Sequence, residues 1–209
     1  MQLIGLLQSP FVRRVAVSMK LMDIAFTHTN WSIASDFERI RQHNPLGRVP
    51  TLLLDEGEML IDSSAILDYL DELAGPRRAL LPACGAERRQ ALRLIALALG
   101  AAEKGRDVVY ERRFRPPEHR HEPWVERCQT QLHGALAELS AQCERRGGRY
   151  LVGESLSQAD VTVACAFTFL IQALHMEDAA AARYPGLARA VNRCEAMPAF
   201  VTTYVPLSV

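Results

Sequence analysis

The pattern of the chain changes near residue 80, and few folds accommodate such a change. Up to Ala74, short apolar runs alternate with helical periodicity. "QLIGLL" (Gln2–Leu7) reads as a strand, Phe11 to about Leu21 as a helix, and "IAFTHTN" as a second strand, which together make a βαβ unit. A short helix near Asp36–Ile40 follows, then "TLLLD" from Thr51, the turn "DEGE", and "MLI" from Met59. The pair around Gly57 is a β-hairpin. A helix over Ser63–Ala74 completes the order βαβαββα, an open mixed four-stranded sheet. Beyond it, "GPRRALLPACG" carries two prolines and two glycines and reads as a linker. No strand pattern of similar strength follows. Long helical stretches are predicted over Glu87–Phe114, Pro123–Arg146, Ser157–Met176 and Gly186–Glu195, with a short helix after Pro198. The expected organisation is therefore an α/β domain over 1–75, a linker over 76–85 and an all-helical domain over 86–209.

Charge and composition narrow the range of partners. With 24 basic and 24 acidic residues the formal charge is zero, so nothing marks the chain for nucleic acid or an anionic membrane. The longest apolar run, Val161–Leu174, contains Thr162, Thr168 and Gln172, and is a buried helix rather than a membrane span. "MQLIGLLQSP" has no basic leader and its apolar run is short, which reads as a strand rather than an export signal. Five scattered cysteines without a CxxC pair fit reduced thiols in a cytosol. "HRH" at His119–His121 sits in a Pro- and Arg-rich polar stretch and reads as a solvated loop; no metal is expected.

Three stretches carry candidate chemistry. In "LQSPFVRRV", Ser9 and Pro10 form a strong N-cap and N1 combination, so Ser9 is either a helix cap or a reactive hydroxyl. In "NPLGRVPTLLLDEG", Pro50 opens a strand. Either the strand tolerates it at its first position, or the Val49–Pro50 bond is cis and turns the Val49 N–H and C=O towards a peptide-like ligand. In "LIDSSAILDYLDE", Asp62 and Ser63 stand where a strand runs into a helix. They are either caps, or an anion site for a ligand carboxylate with Asp62 facing an adjacent ammonium group.

Taken together, "SPFVRRV", "NPLGRVPTLLLDEG" and "LIDSSAILDYLDE", followed by an all-helical half, resemble the soluble glutathione S-transferase superfamily in its bacterial serine-type branch. A further match is "GESLSQADVTVA" (Gly153–Ala164), similar to the segment that caps the central helix of the family's second domain. Its residues have a physical reading of their own: Ser157 as N-cap with Asp160 at N3, and Leu156 beside Val161 as a staple. The resemblance implies a thioredoxin-like first domain, a helical second domain, glutathione as co-substrate, and a cytoplasmic homodimer. It assigns Ser9 as the catalytic hydroxyl, Val49 with Pro50 to the cysteinyl part of glutathione, Asp62 and Ser63 to the γ-glutamyl part, and Arg48 to the glycyl end. Position 9 is Ser rather than Cys, which departs from the thiol-transferring branches.

The implied activity is activation of the glutathione sulfur for attack on a hydrophobic electrophile. A glutathione-dependent isomerase or dehalogenase would use the same thiolate. A non-catalytic relative of the stringent-starvation type, acting as a glutathione-binding or protein-interaction module, is the alternative from another class. The electrophile pocket is expected between Phe11 and a stripe of the long helix after Glu87, where Ala102, Arg106, Tyr110 and Phe114 share a face at i, i+4 spacing. Arg106 and Tyr110 are costly to bury alone and are expected in the cleft, Ala102 leaves room, and Phe114 is expected to pack as core. Trp124 has no direction fixed by its spacing.

Overall fold

The computed structural model describes residues 1–147 and 150–207 of the 209. Positions 148, 149, 208 and 209 of the expected helical domain lie outside the described residues. The chain divides into two compact units, Met1–Ala83 with Met197–Val205, and Cys84–Ala196 with the stretch from Pro206 on.

The first unit contains β1 (Gln2–Ile4), α1 (Pro10–Leu21), β2 (Thr27–Thr29), α2 (Phe37–His43), β3 (Thr51–Leu53), β4 (Met59–Ile61) and α3 (Ser63–Ala74). The sheet order is β2-β1-β3-β4, with β1 and β2 parallel and the other two pairings antiparallel. The β3–β4 hairpin closes through the Leu54 N–H to the Glu58 carbonyl at 2.8 Å, around Gly57 at φ +90°. Leu3 and Leu52 from the sheet meet Val12, Val15 and Met19 of α1 and Ile66 of α3 in a core sealed from water. The strands are shorter than the apolar runs suggest. β1 stops at Ile4: the Gly5 N–H still reaches the Thr29 carbonyl of β2 at 3.0 Å, but at φ +134° the chain turns away after it.

The segment Met197–Val205, which the sequence places in the helical half, groups with the sheet unit instead. The reason lies on α1. Arg13, only 4% exposed, donates to the Phe200 carbonyl at 3.1 Å, and its guanidinium lies 5.8 Å from the Phe200 ring and 5.4 Å from the Tyr204 ring. A buried cation needs such partners; Phe200 of α9 (Pro198–Val201) and Tyr204 just beyond it supply them. At the other end of the unit, Asp71 of α3 accepts from the Leu80 and Leu81 N–H groups at 2.7 and 3.3 Å, which ties down the start of the Pro-rich linker.

The second unit is helical: α4 (Gly85–Phe114), α5 (Glu122–Arg145), α6 (Gln158–Ala173), α7 (Glu177–Arg183) and α8 (Pro185–Glu195). The long helix α4 packs on α5 and α6, and α8 packs on both of those. Close approach of α4 to α6 depends on Gly105, where a Cβ would lie 2.1 Å from Leu170 Cδ2. Helix α6 is buried along nearly its whole length, and none of the described helices is long and apolar enough to cross a membrane. His119 closes a 3-10 turn, Pro117–His119, and both His119 and His121 are exposed. Cys84 is exposed; the other four thiols are buried, and burial pushes Cys143 up to about 11 and Cys194 up to about 12.

A polar cluster joins α5 to the α7–α8 corner. Arg183 has only donors, so its N–H donates to His133 Nε2 at 3.3 Å, and the ring proton sits on Nδ1, donating to Tyr184 Oη at 2.7 Å. Burial, followed by the Arg183 charge, holds the His133 pKa below its ordinary 6.5. The unfolded chain therefore binds the proton more readily than the native one. The stability tied to neutral His133 is present above the unfolded value and is lost as pH falls through it towards the folded value. Melting temperature is expected to fall as pH drops through the ordinary histidine value of about 6.5, and His133→Gln to flatten that dependence. An unchanged slope in the variant would remove His133 as its source.

Candidate functional site

One rung of the sheet brings the candidate residues to the same edge. Thr29, Ile4, Thr51 and Ile61 lie side by side across β2, β1, β3 and β4. Immediately beyond that rung come Gly5 and the loop to Ser9, the Val49–Pro50 pair, and Asp62 with Ser63. Neighbouring strands are about 4.8 Å apart, so the three departures from β1, β3 and β4 span about 10 Å.

Ser9 is the N-cap residue of α1 by position, with backbone φ −70° and ψ 126° and Pro10 at N1. The first helical bond runs from the Arg13 N–H to the Ser9 carbonyl at 2.9 Å. The Ser9 side chain makes no cap hydrogen bond. Ser9 is half-buried beside a helix start whose leading N–H groups have no intrahelical acceptor. Phe11, at N2, is half-buried as well.

The Val49–Pro50 peptide bond is cis. The loop before it is held from within by Asn44, 1% exposed, which uses both amide protons and its carbonyl oxygen. Nδ2 donates to the Arg48 carbonyl at 2.8 Å and to Thr51 Oγ1 at 3.1 Å, and Oδ1 accepts the Leu46 N–H at 3.0 Å. Thr51 Oγ1 in turn donates to the Arg48 carbonyl at 3.1 Å. The Arg48 side chain is exposed; its carbonyl is the part that the fold engages.

Asp62 adopts φ +61° and ψ 132°, a conformation that non-glycine residues rarely hold, and its Oδ1 accepts the Ser64 N–H at 2.8 Å. It caps α3 while staying exposed, so the capping role and an open carboxylate oxygen coexist. Ser63 is 3% exposed at N1. Beneath this turn lies Arg14, 2% exposed, whose guanidinium reaches Ser64 Oγ at 3.5 Å.

Gly5 lets these parts meet. A Cβ there would lie 2.6 Å from Val12 Cγ2 and 2.8 Å from Val49 Cβ, and φ +134° is strained for any L side chain. Gly5→Ala is expected to cost about 1–3 kcal/mol by overpacking and backbone strain. Denaturant melts check this, and a midpoint equal to wild type would show that the loop yields freely.

The α4 stripe is only partly as expected. Ala102 is fully buried, so it serves helix packing. Arg106 and Tyr110 are half-buried, with the Arg106 guanidinium 5.8 Å from the Tyr110 ring. Phe114 is not core. It is 56% exposed, edge-on to Tyr110 at 5.1 Å, because it shares the Tyr110 face of α4 rather than the Gly105–Val108 side that packs inward. Asp107 accepts from both Arg106 at 3.1 Å and Lys104 at 3.0 Å, and Trp124 lies over Lys104 at 5.0 Å. Sequence reading passed over Gly5, Asn44 and Arg14. Only "NPLG" carried a signal, as a turn whose Asn could bond its own loop.

Comparison with known proteins agrees with this architecture. Residues 3–78 match the family described as glutathione S-transferase, N-terminal domain, and residues 122–193 match glutathione S-transferase, C-terminal domain. A GST-like protein of Escherichia coli K12, YibF, is 30% identical over 175 residues, covering 81% of this chain and 82% of its own. A glutathione S-transferase structure from Methylobacterium radiotolerans, in complex with glutathione sulfonate, superimposes with a TM-score of 0.91 at 28% identity, over 100% of this chain and 96% of that one. A glutathione transferase family member from Pseudomonas fluorescens Pf-5, with bound glutathione, does so at 0.84 and 31% identity, over 99% of each chain.

Proposed function

The chain belongs to the glutathione S-transferase family, and from that membership we propose that it binds glutathione at the rung edge of its sheet and holds the sulfur as a thiolate for attack on an electrophilic small molecule. The observation that carries this reading is the Ser9 hydroxyl, which stands at a helix start without capping it. Its O–H is therefore available to a ligand sulfur. A hydrogen bond donated to the thiolate, reinforced by the helix terminus, lowers a thiol pKa from about 8.5 towards neutrality.

The dimensions suit a tripeptide. An extended three-residue chain spans about 10 Å, the distance from β1 to β4. In this reading the sulfur faces Ser9 and Phe11, the cysteinyl backbone pairs with Val49 beside Pro50, the γ-glutamyl carboxylate meets Ser63 and the α3 start, and Asp62 answers its ammonium group. Arg48 serves the glycyl carboxylate. The electrophile falls to the Arg106–Tyr110 face of the helical unit, which offers a cation and aromatic surface. A cytoplasmic homodimer accords with the family and with the apolar Leu73 of α3 and Leu92 of α4, both left about half exposed.

Calorimetric titration with glutathione tests the binding half. Asp62→Asn keeps an oxygen for the Ser64 N–H but removes the charge, and is expected to weaken binding about tenfold, the worth of a charge-assisted hydrogen bond. Equal affinity would take Asp62 out of the site. A turnover screen across electrophiles tests the catalytic half, and binding without any turnover would favour a non-catalytic relative.

A further inference from the structure

We infer that Asn44 and Thr51 are positioning residues that aim the Val49 N–H at the cysteinyl carbonyl of glutathione; the inference rests on the glutathione-binding reading above. The basis is the planarity of one peptide unit. The Arg48 carbonyl and the Val49 N–H belong to the same trans amide plane and point in opposite directions. The Arg48 carbonyl receives two hydrogen bonds from the interior, Asn44 Nδ2 at 2.8 Å and Thr51 Oγ1 at 3.1 Å. Both donors are themselves locked. Thr51 is fully buried at the start of β3, in register with Ile4 and Ile61, and Asn44 is held by its bonds to Thr51 and to the Leu46 N–H. With its carbonyl anchored inward, the plane must direct the Val49 N–H outward.

That N–H donates to no protein acceptor among the described residues, while Val49 itself is only half-buried. A backbone donor that is fixed in direction and unspent suits a ligand carbonyl laid alongside the β3 start as an added strand. Pre-fixing the plane removes an ordering cost from binding, so the effect belongs in glutathione affinity rather than in the chemical step. Neither Asn44 nor Thr51 needs to touch the ligand.

The test uses the full chain and two-dimensional amide spectra recorded with and without saturating glutathione. Thr51→Val removes the hydroxyl at nearly constant shape, Asn44→Ala removes all three side-chain bonds, and Thr51→Ser keeps the hydroxyl. In Thr51→Val and Asn44→Ala, the glutathione-induced displacement of the Val49 amide proton is expected to shrink while that of the Ser63 amide is retained. Glutathione Kd and KM should rise about five- to tenfold, the worth of one hydrogen bond, with kcat at saturating glutathione little changed. Thr51→Ser should restore both readouts. If Asn44→Ala does not fold, the Thr51→Val and Thr51→Ser pair decides alone. Folded variants with wild-type Kd and an undiminished Val49 displacement overturn the positioning role and leave glutathione binding intact. A wild-type chain that shows no displacement at either amide overturns the glutathione reading, and this inference with it.

Discussion

Asp160→Ala is expected to cost about 3–5 kcal/mol, the lost cap plus the penalty of leaving buried donors unmet. That is a large share of the roughly 5–15 kcal/mol by which a domain is stable. The carboxylate is 5% exposed and takes three donors. The Leu151 N–H reaches Oδ1 at 2.9 Å, and the Ser157 N–H and hydroxyl reach Oδ2 at 3.0 and 2.7 Å. Together they form the capping box of α6, the central buried helix of the second unit, and pin the loop before it. Removing the side chain leaves these donors buried without an acceptor.

The charge itself is not the source of the gain. Burial raises the Asp160 pKa despite the hydrogen bonds from Ser157 and Leu151 that act to lower it. With a folded value above the unfolded one, the contribution of this ionisation is fully present below the unfolded pKa and is lost as pH rises through the folded value. Ionisation of this group therefore works against the fold as pH rises, and the value of the side chain lies in its two acceptor oxygens. Asp160→Asn offers one acceptor oxygen and turns an NH2 towards a donor, so it should lose stability on a scale similar to Asp160→Ala. Denaturant midpoints compare the two, and near-wild-type stability in the Asn variant would sink the two-oxygen account.

Where sequence reading succeeded, the determinants were local. Helix α3 runs over Ser63–Ala74 as expected, because an Asp cap precedes it and Gly75, at φ +72°, follows it. The hairpin was legible from "DEGE", and the α6 cap from Ser157 and Asp160, for the same reason. Helix α7 was missed because "EDAAAAR" has no apolar stripe; only Ala180 of its residues is buried. Phe114 was misjudged because aromatic character says nothing about which face of a helix is covered. The Arg13–Phe200 bond joins residues 187 positions apart, and no periodicity reveals it. Ser9, Pro50 and Asp62 could be nominated individually. That they leave one rung of the sheet depends on strand order and register, which residue patterns do not encode. Asn44 was invisible as a site residue because its side chain works inward, on a backbone carbonyl four residues away.

Ser9→Ala is expected to lower kcat/KM with an electrophile by about ten- to a hundredfold at neutral pH, which corresponds to losing one hydrogen bond to a charged group. The bound glutathione thiol should titrate about one to two units higher, since 1.36 kcal/mol of thiolate preference is one pKa unit. The hydroxyl does not cap α1, and Ala can hold the same extended backbone before Pro10, so the stability loss should stay within about 0.5 kcal/mol. The helix terminus remains in the variant, so some depression of the thiol pKa remains as well. Thiolate absorbance of the glutathione complex followed against pH, with a melting curve of the same sample, separates the two roles of the residue. A variant that melts well below wild type while its thiol titrates unchanged would make Ser9 a structural residue. A variant that melts like wild type, with the thiol shifted upward and glutathione affinity largely kept at a pH where the thiol is neutral, places the hydroxyl on the sulfur. Above the shifted pKa the variant's glutathione is ionised without help, so the rate deficit should narrow as pH rises. A deficit that stays constant across that range would mean that Ser9 acts on something other than the ionisation of the thiol.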